Sequence, residues 1–115
     1  MLFAALFAIV VGVGMIAQWT MSYLSDQIAE LETEPIRIGF HIAAEMATAI
    51  LLIGGGVGML LRTPWGREIS LIAFGMLFYT AIVSPGYFAQ KGQWAWLGMF
   101  AAIISLGLVS LGLIF

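Results

Sequence analysis

Residues 38–61 read IGFHIAAEMATAILLIGGGVGMLL, and this stretch decides the fold. A helix needs about 20 mostly apolar residues to cross the ~30 Å hydrocarbon core of a bilayer. The stretch has this length and carries one charged side chain, Glu45. Because lipid offers no hydrogen-bond partner for an open strand edge, the stretch must be helical. It therefore predicts a transmembrane helix with an embedded carboxyl group.

Three further stretches have the same length and apolar character and carry no charge: residues 2–24, 69–89 and 94–115. Of the four basic and six acidic residues, all except Glu45 fall in the polar connections between these stretches. A chain that is 63% hydrophobic and 9% charged could not bury so much apolar surface in a water-soluble core. We predict an all-α integral membrane four-helix bundle, up-down-up-down, in which residues 1–115 form one domain.

The ends of the predicted spans agree with a bilayer. All four tryptophans lie at or near these ends, where indole prefers the headgroup level. The basic residues divide evenly, with Arg62 and Arg67 on the side of the termini and Arg37 and Lys91 on the other. The compact Arg62–Arg67 pair favours cytoplasmic termini. We predict a multi-pass protein of a prokaryotic cell membrane.

Composition excludes several classes of function. Net charge is −2 with four basic residues, so the chain is not expected to bind nucleic acid. It has no cysteine, which excludes thiolate metal sites and cysteine nucleophiles. A metal site would need three or four ligands, but the embedded segments supply only His41 and Glu45, so no metal site is predicted. The sequence does not identify a cofactor.

The His41/Glu45 pair is the main chemical lead. The two residues are one helical turn apart and share a face that Thr48 continues. An embedded ionisable residue is by default a candidate functional site, although Glu45 could instead be an interhelical hydrogen-bonding clamp. The pair is either ionic or contains a protonated Glu45. Matching the depths of the spans predicts one ligand or proton site with these members: Gln18, His41, Glu45, Thr48, Tyr79, Thr80 and Ser84.

Small residues at four-residue spacing predict packing faces, because helices in lipid associate by close fit. These stripes are Ala4, Ala8 and Gly12 in the first span; Ala43, Ala47, Gly54 and Gly58 in the second; and Gly98, Ala102, Ser105 and Gly112 in the fourth. The neighbour can be another span or another subunit. These stripes exceed what one bundle needs, so we predict a homo-oligomer or a larger membrane complex.

Two local features complete the prediction. Proline removes a backbone donor, so Ser84-Pro85-Gly86 predicts a break within the third span. The acidic connection at residues 25–34 is either a short amphipathic surface helix or a solvated loop, and we favour the loop.

Several segments resemble the DoxX family of small membrane proteins. These are Ala44-Glu45, LLIGGG at residues 51–56, Leu60-Leu61-Arg62 and Gly75-Met76-Leu77. The similarity is confined to the second and third spans, and the first span lacks the basic residue that the family usually carries there. The resemblance implies a four-helix bundle, a link to quinone-dependent respiratory chemistry, and a site role for Glu45.

We therefore expect a small membrane protein that binds a lipophilic or quinone-like ligand near one leaflet, or that serves as a subunit of a membrane redox complex. One alternative is a proton-coupled exporter similar to the small multidrug resistance proteins, whose essential glutamate lies in the first span. Another alternative is a structural subunit of a larger membrane assembly.

Overall fold

A computed structural model describes residues 2–26 and 28–115 and, at Glu30, the backbone alone. Over this part of the chain the structure is helical and contains no strand. The elements are α1 (Leu2–Leu24), α2 (Glu30–Thr33), α3 (Pro35–Leu60), α4 (Gly66–Val83), α5 (Pro85–Gln90) and α6 (Trp94–Ile114).

Four helices are long and apolar enough to cross a membrane: α1, α3, the continuous α4–α5 segment and α6. The longest dimension of the Cα trace is 44 Å, close to the ~40–45 Å thickness of a bilayer with its headgroups. The predicted membrane four-helix bundle is therefore confirmed in fold class. The helices that could span the membrane agree with the predicted stretches apart from shifts at their ends.

The starts of α3 and α4 and the acidic connection differ from the prediction. Helix α3 begins at Pro35, three residues early, because proline suits the first helical position, where its missing N–H is not needed. Helix α4 also begins three residues early, at Gly66. The connection that we expected to be a loop contains the single helical turn α2, with Ile28 buried before it.

The expected break in the third span is present at Ser84. Pro85 cannot donate to the carbonyl one turn earlier, so helical hydrogen bonding is interrupted there. Ser84 keeps helical dihedral angles, φ −63° and ψ −35°, and its N–H bonds to the Thr80 carbonyl at 2.8 Å. Helix α5 therefore continues the span.

The helices form a ring in which α1 packs on α3, α3 on α4, α4 on α6, and α6 returns to α1. Consecutive spans are antiparallel, since α1 residues near Gly12 meet Ala49 and those near Ala5 meet Gly56. The share of residues buried inside the bundle is 44% for the α3 span and 17% for α6. Helix α3 is thus the structural centre, and α6 presents most of its surface outward.

Glycines allow the closest approaches of α3 to its neighbours. A Cβ added at Gly12 would lie 2.8 Å from the Ala49 carbonyl oxygen, and one at Gly56 would lie 2.8 Å from that of Ala5. On the other side of α3, a Cβ at Gly55 would lie 2.5 Å from Ser70 Oγ. At these positions α1 and α4 lie directly against the α3 backbone.

Only part of the predicted stripes packs within this bundle. The α1 stripe and Gly58 are buried as expected. The rest of the α3 stripe makes no close packing contact within the bundle: Ala43 and Ala47 are exposed, and Gly54 faces open space. The whole predicted α6 stripe is exposed, and Gly107 and Ser110 pack inward instead. As packing faces, the exposed stripes stay a prediction for contact with another subunit.

Aromatic rings fill one half of the bundle. Phe7 of α1 and Phe74 of α4 stack across it with ring centroids 6.0 Å apart, and Phe78 continues the stack at 6.3 Å. Phe78 also lies against Gly107 of α6. The ionisable side chains of His41 and Glu45 lie in the other half, whereas the aromatic half holds the small buried hydroxyls of Ser70 and Ser110.

Candidate functional site

Glu45 lies at the contact between α3 and α4. It is 7% exposed. The Thr80 hydroxyl donates to its Oε1, and His41 Nε2 lies 3.5 Å from the same oxygen. We expected Glu45 to face the protein within reach of His41 and at least one of Tyr79, Thr80, Ser84 or Gln18, and the structure shows it with His41 and Thr80. An unpaired carboxyl in hydrocarbon would cost several kcal/mol, which explains why the residue turns inward.

The polar contacts continue along α4 toward the break at Ser84. Thr80 Oγ1 and Ser84 Oγ are 3.0 Å apart, and because the single Thr80 hydroxyl proton is donated to Glu45, Ser84 is the donor of this second bond. Glu45, Thr80 and Ser84 thus form one hydrogen-bonded line. A hydroxyl can donate to a carboxylate or accept from a carboxylic acid, so the line persists in either protonation state of Glu45.

His41 lies between the buried carboxyl and the outside of the bundle. Its side chain is 41% exposed. The Trp19 ring of α1 meets the imidazole edge-on, with centroids 5.7 Å apart. One helical turn further out, Arg37 pairs with Glu34 at 2.9 Å. His41 is therefore held beside Glu45 by an aromatic contact and remains accessible.

Three of the predicted site residues behave differently from the others. Thr48 is buried, but its hydroxyl donates to the Ala44 carbonyl of its own helix at 2.8 Å. The Gln18 amide donates to the Ser22 hydroxyl of its own helix at 3.5 Å and makes no hydrogen bond to Glu45. Tyr79 is 72% exposed and makes no hydrogen bond to the described residues, so it joins the site only as part of its wall.

A groove of about 690 Å³ runs between α3 and α4 on the outer face of the bundle. Its polar wall on α3 consists of Arg37, His41, Glu45 and Thr48, in order from the end of the helix inward. Its other lining residues are Ala44, Ile72, Gly75, Met76, Tyr79, Thr80 and Val83. Ligand pockets typically enclose about 300–1,000 Å³, so the groove can hold a small molecule.

Sequence reasoning missed Arg37 and the apolar wall of the groove. The signal was available in part, since Arg37, His41 and Glu45 recur every four residues, and Gly75 and Tyr79 do the same on α4. Which face of α4 meets α3 depends on the approach of Ser70 to Gly55. That approach is a tertiary contact, so the spacing of residues along the sequence does not predict it.

The second carboxyl oxygen of Glu45 decides what the site can do. Only Oε1 has a partner among the described residues. Oε2 has no partner among these residues but is not fully enclosed by protein, and Glu45 lines the groove. The site therefore offers a ligand one free carboxyl oxygen beside an accessible imidazole. In the described part of the chain, no group of three His, Cys, Asp or Glu side chains could hold a metal ion.

Comparison with known proteins gives a family but no function. A family model described as "Domain of unknown function (DUF8058)" matches residues 2–115. Neither the curated proteins nor the solved structures gave a match.

Proposed function

The chain belongs to the DUF8058 family, and we propose that it binds a lipophilic, quinone-like small molecule in the groove between α3 and α4. The observation that carries the proposal is the Oε2 atom of Glu45. It has no protein partner among the described residues, and its side chain lines a groove large enough for a ligand.

The groove has the polarity that such a ligand requires. Its α3 wall carries ionisable groups from Arg37 to Glu45. Deeper in the span the wall is apolar, with Ile72 and Met76. A quinone combines a polar ring with an apolar tail, so the ring would lie at the His41/Glu45 end and the tail along α4. The outward-facing groove lets such a molecule enter from the lipid.

The site can bond both oxidation states of a quinone. A protonated His41 or a protonated Glu45 donates to a quinone carbonyl, and the ionised carboxyl accepts from a quinol hydroxyl. Reduction to the quinol takes two electrons and two protons. The Glu45–Thr80–Ser84 line could pass protons, whereas the electrons would have to come from a redox partner. We therefore place the chain as a quinone-binding subunit of a membrane redox complex.

Quenching of tryptophan fluorescence tests the binding. Trp19 lies 5.7 Å from His41 and reports on the polar end of the groove. A short-tailed ubiquinone analogue titrated into protein in nanodiscs should quench the emission with saturation. Trp19→Phe should remove the saturable component.

A leucine at Gly75 blocks the groove, since Gly75 lines it and a Cβ there meets open space. Gly75→Leu should weaken binding by about tenfold or more, because its side chain occupies the ligand's volume. Gly14→Leu is the matched control: Gly14 also faces open space but lies on α1, away from the groove. Equal titration curves for wild type and Gly75→Leu would overturn the proposal.

A partner subunit is supported by the outward face of α6. The exposed stripe on α6 and the exposed Ala43 and Ala47 of α3 are surfaces on which a second membrane protein or a second copy can pack.

The homo-oligomer, the DoxX relationship, the prokaryotic cell membrane and the cytoplasmic termini remain proposals. The exporter alternative predicts drug-dependent proton release on ligand binding. The quinone proposal does not.

A further inference from the structure

A second pocket lies at the opposite end of the bundle, where α3 turns into α4. It has a volume of about 360 Å³ and is lined by Met59, Arg62, Thr63 and Arg67. Among the described residues no carboxylate lies within salt-bridge distance of either arginine. This includes Glu68, which follows Arg67 in α4.

Arg62 adopts a backbone conformation that is unfavourable for a long side chain. Arg62 has φ +57°, a left-handed conformation. The Arg62 N–H donates to the Met59 carbonyl, and the Thr63 N–H donates to the Gly58 carbonyl at 2.9 Å. This pair of bonds is the Schellman helix end, in which the left-handed position is usually glycine. Asp26 is also left-handed, but aspartate tolerates that region far better than a long side chain does.

Arg67 is held by a different contact. Its guanidinium lies over the Phe115 ring of the α6 end, 5.4 Å from the centroid. The Thr63 hydroxyl is used within the turn, because it donates to the Gly58 carbonyl at 3.1 Å. The two guanidinium groups are therefore the free donors of the pocket.

We propose that this pocket binds the anionic phosphate headgroup of a membrane lipid. Guanidinium matches the geometry of phosphate oxygens, and two arginines without carboxylate partners provide the charge. The location of the pocket favours a lipid over free phosphate. The pocket lies at the ends of two spans, and Met59 gives it an apolar wall. The exposed indole of Trp65 is suited to the headgroup level of a bilayer.

Lipid retention tests the proposal. Protein in mixed detergent micelles would be offered equimolar phosphatidylglycerol and phosphatidylcholine, and retained lipid would be counted by native mass spectrometry. Wild type should retain phosphatidylglycerol preferentially. Arg62→Gly and Arg67→Gln should each lower this preference by about fivefold, the usual contribution of one basic residue at an anionic surface.

The variants are chosen to remain folded. Glycine suits the left-handed backbone at Arg62, and Arg67→Lys, which keeps the charge, should retain most of the preference. Lys91→Gln is the matched control, because it removes one positive charge at the other end of the bundle. An unchanged preference in the Arg62→Gly/Arg67→Gln double variant would overturn the proposal. Displacement of phosphatidylglycerol by millimolar inorganic phosphate would overturn the lipid assignment in favour of a free-phosphate site.

Discussion

The Thr80 hydroxyl of α4 donates to Oε1 of Glu45 on α3, and this bond joins the two helices that line the groove. The other carboxyl oxygen has no partner among the described residues, and Glu45 lines the groove. Glu45 is thereby both a link between helices and an available ligand group. The structural and functional interpretations of the residue are compatible, and separate variants can distinguish them.

Thr80→Val tests the link between helices. Valine keeps the shape of the side chain and removes the donor, so we expect a loss of stability of about 0.6–1.7 kcal/mol, the range of hydrogen bonds between membrane helices. The measurement is reversible unfolding in mixed micelles. Thr20→Val is the control, since Thr20 is exposed on α1 and its hydroxyl has no partner in the described structure. Equal losses for both variants would show that the Thr80–Glu45 bond contributes nothing.

Glu45→Gln tests the ligand role. The glutamine amide oxygen can still accept from Thr80, so the unfolding midpoint should stay close to that of wild type. The charged or acidic oxygen offered to the groove is lost, and we expect quinone affinity to fall by about tenfold or more, as for a hydrogen bond to a charged group. Saturable tryptophan quenching measures the affinity. A variant that binds the quinone normally would leave Glu45 with the structural role alone.

The spans were predictable because a bilayer penalises charge, and every charged residue except Glu45 lies near a span end. Matching depths in an antiparallel bundle narrowed the partners of Glu45 to Tyr79, Thr80, Ser84 or Gln18, and the structure shows that Thr80 bonds it. The rotation of each helix was not predictable. Gly54, Gly55 and Gly56 are equivalent in sequence, yet Gly55 meets Ser70, Gly56 meets Ala5 and Gly54 meets nothing. Which of these glycines contacts a neighbouring helix depends on where that helix lies, and the sequence periodicity of one helix carries no information on this.

Self-association through the exposed face of α3 is a further prediction. Gly54 faces open space beside the exposed Ala43 and Ala47 side of the helix. Gly54→Leu should therefore leave the fold intact and shift the protein toward monomer, because a bulky side chain prevents close approach of a second copy. Sedimentation in mild detergent measures the oligomeric state. Gly58→Leu is unsuitable, since a Cβ at Gly58 would already meet Trp65 and Gly66 within the chain. A wild-type monomer at all protein concentrations would contradict the prediction.

The packing of α1 on α3 should depend on Gly12 far more than on Gly54. A Cβ at Gly12 would lie 2.8 Å from the Ala49 carbonyl oxygen and 2.7 Å from Ile53, and the backbone oxygen cannot move without displacing the helix. Gly12→Ala should therefore destabilise the bundle by about 1–3 kcal/mol, the usual cost of overpacking. Gly54→Ala adds the same methyl group into open space, and it should be neutral or stabilise α3 by up to about 1 kcal/mol through helix propensity. Unfolding of both variants in the same micelles separates the two effects. If Gly12→Ala proved as stable as Gly54→Ala, the close contact between α1 and α3 would be wrong.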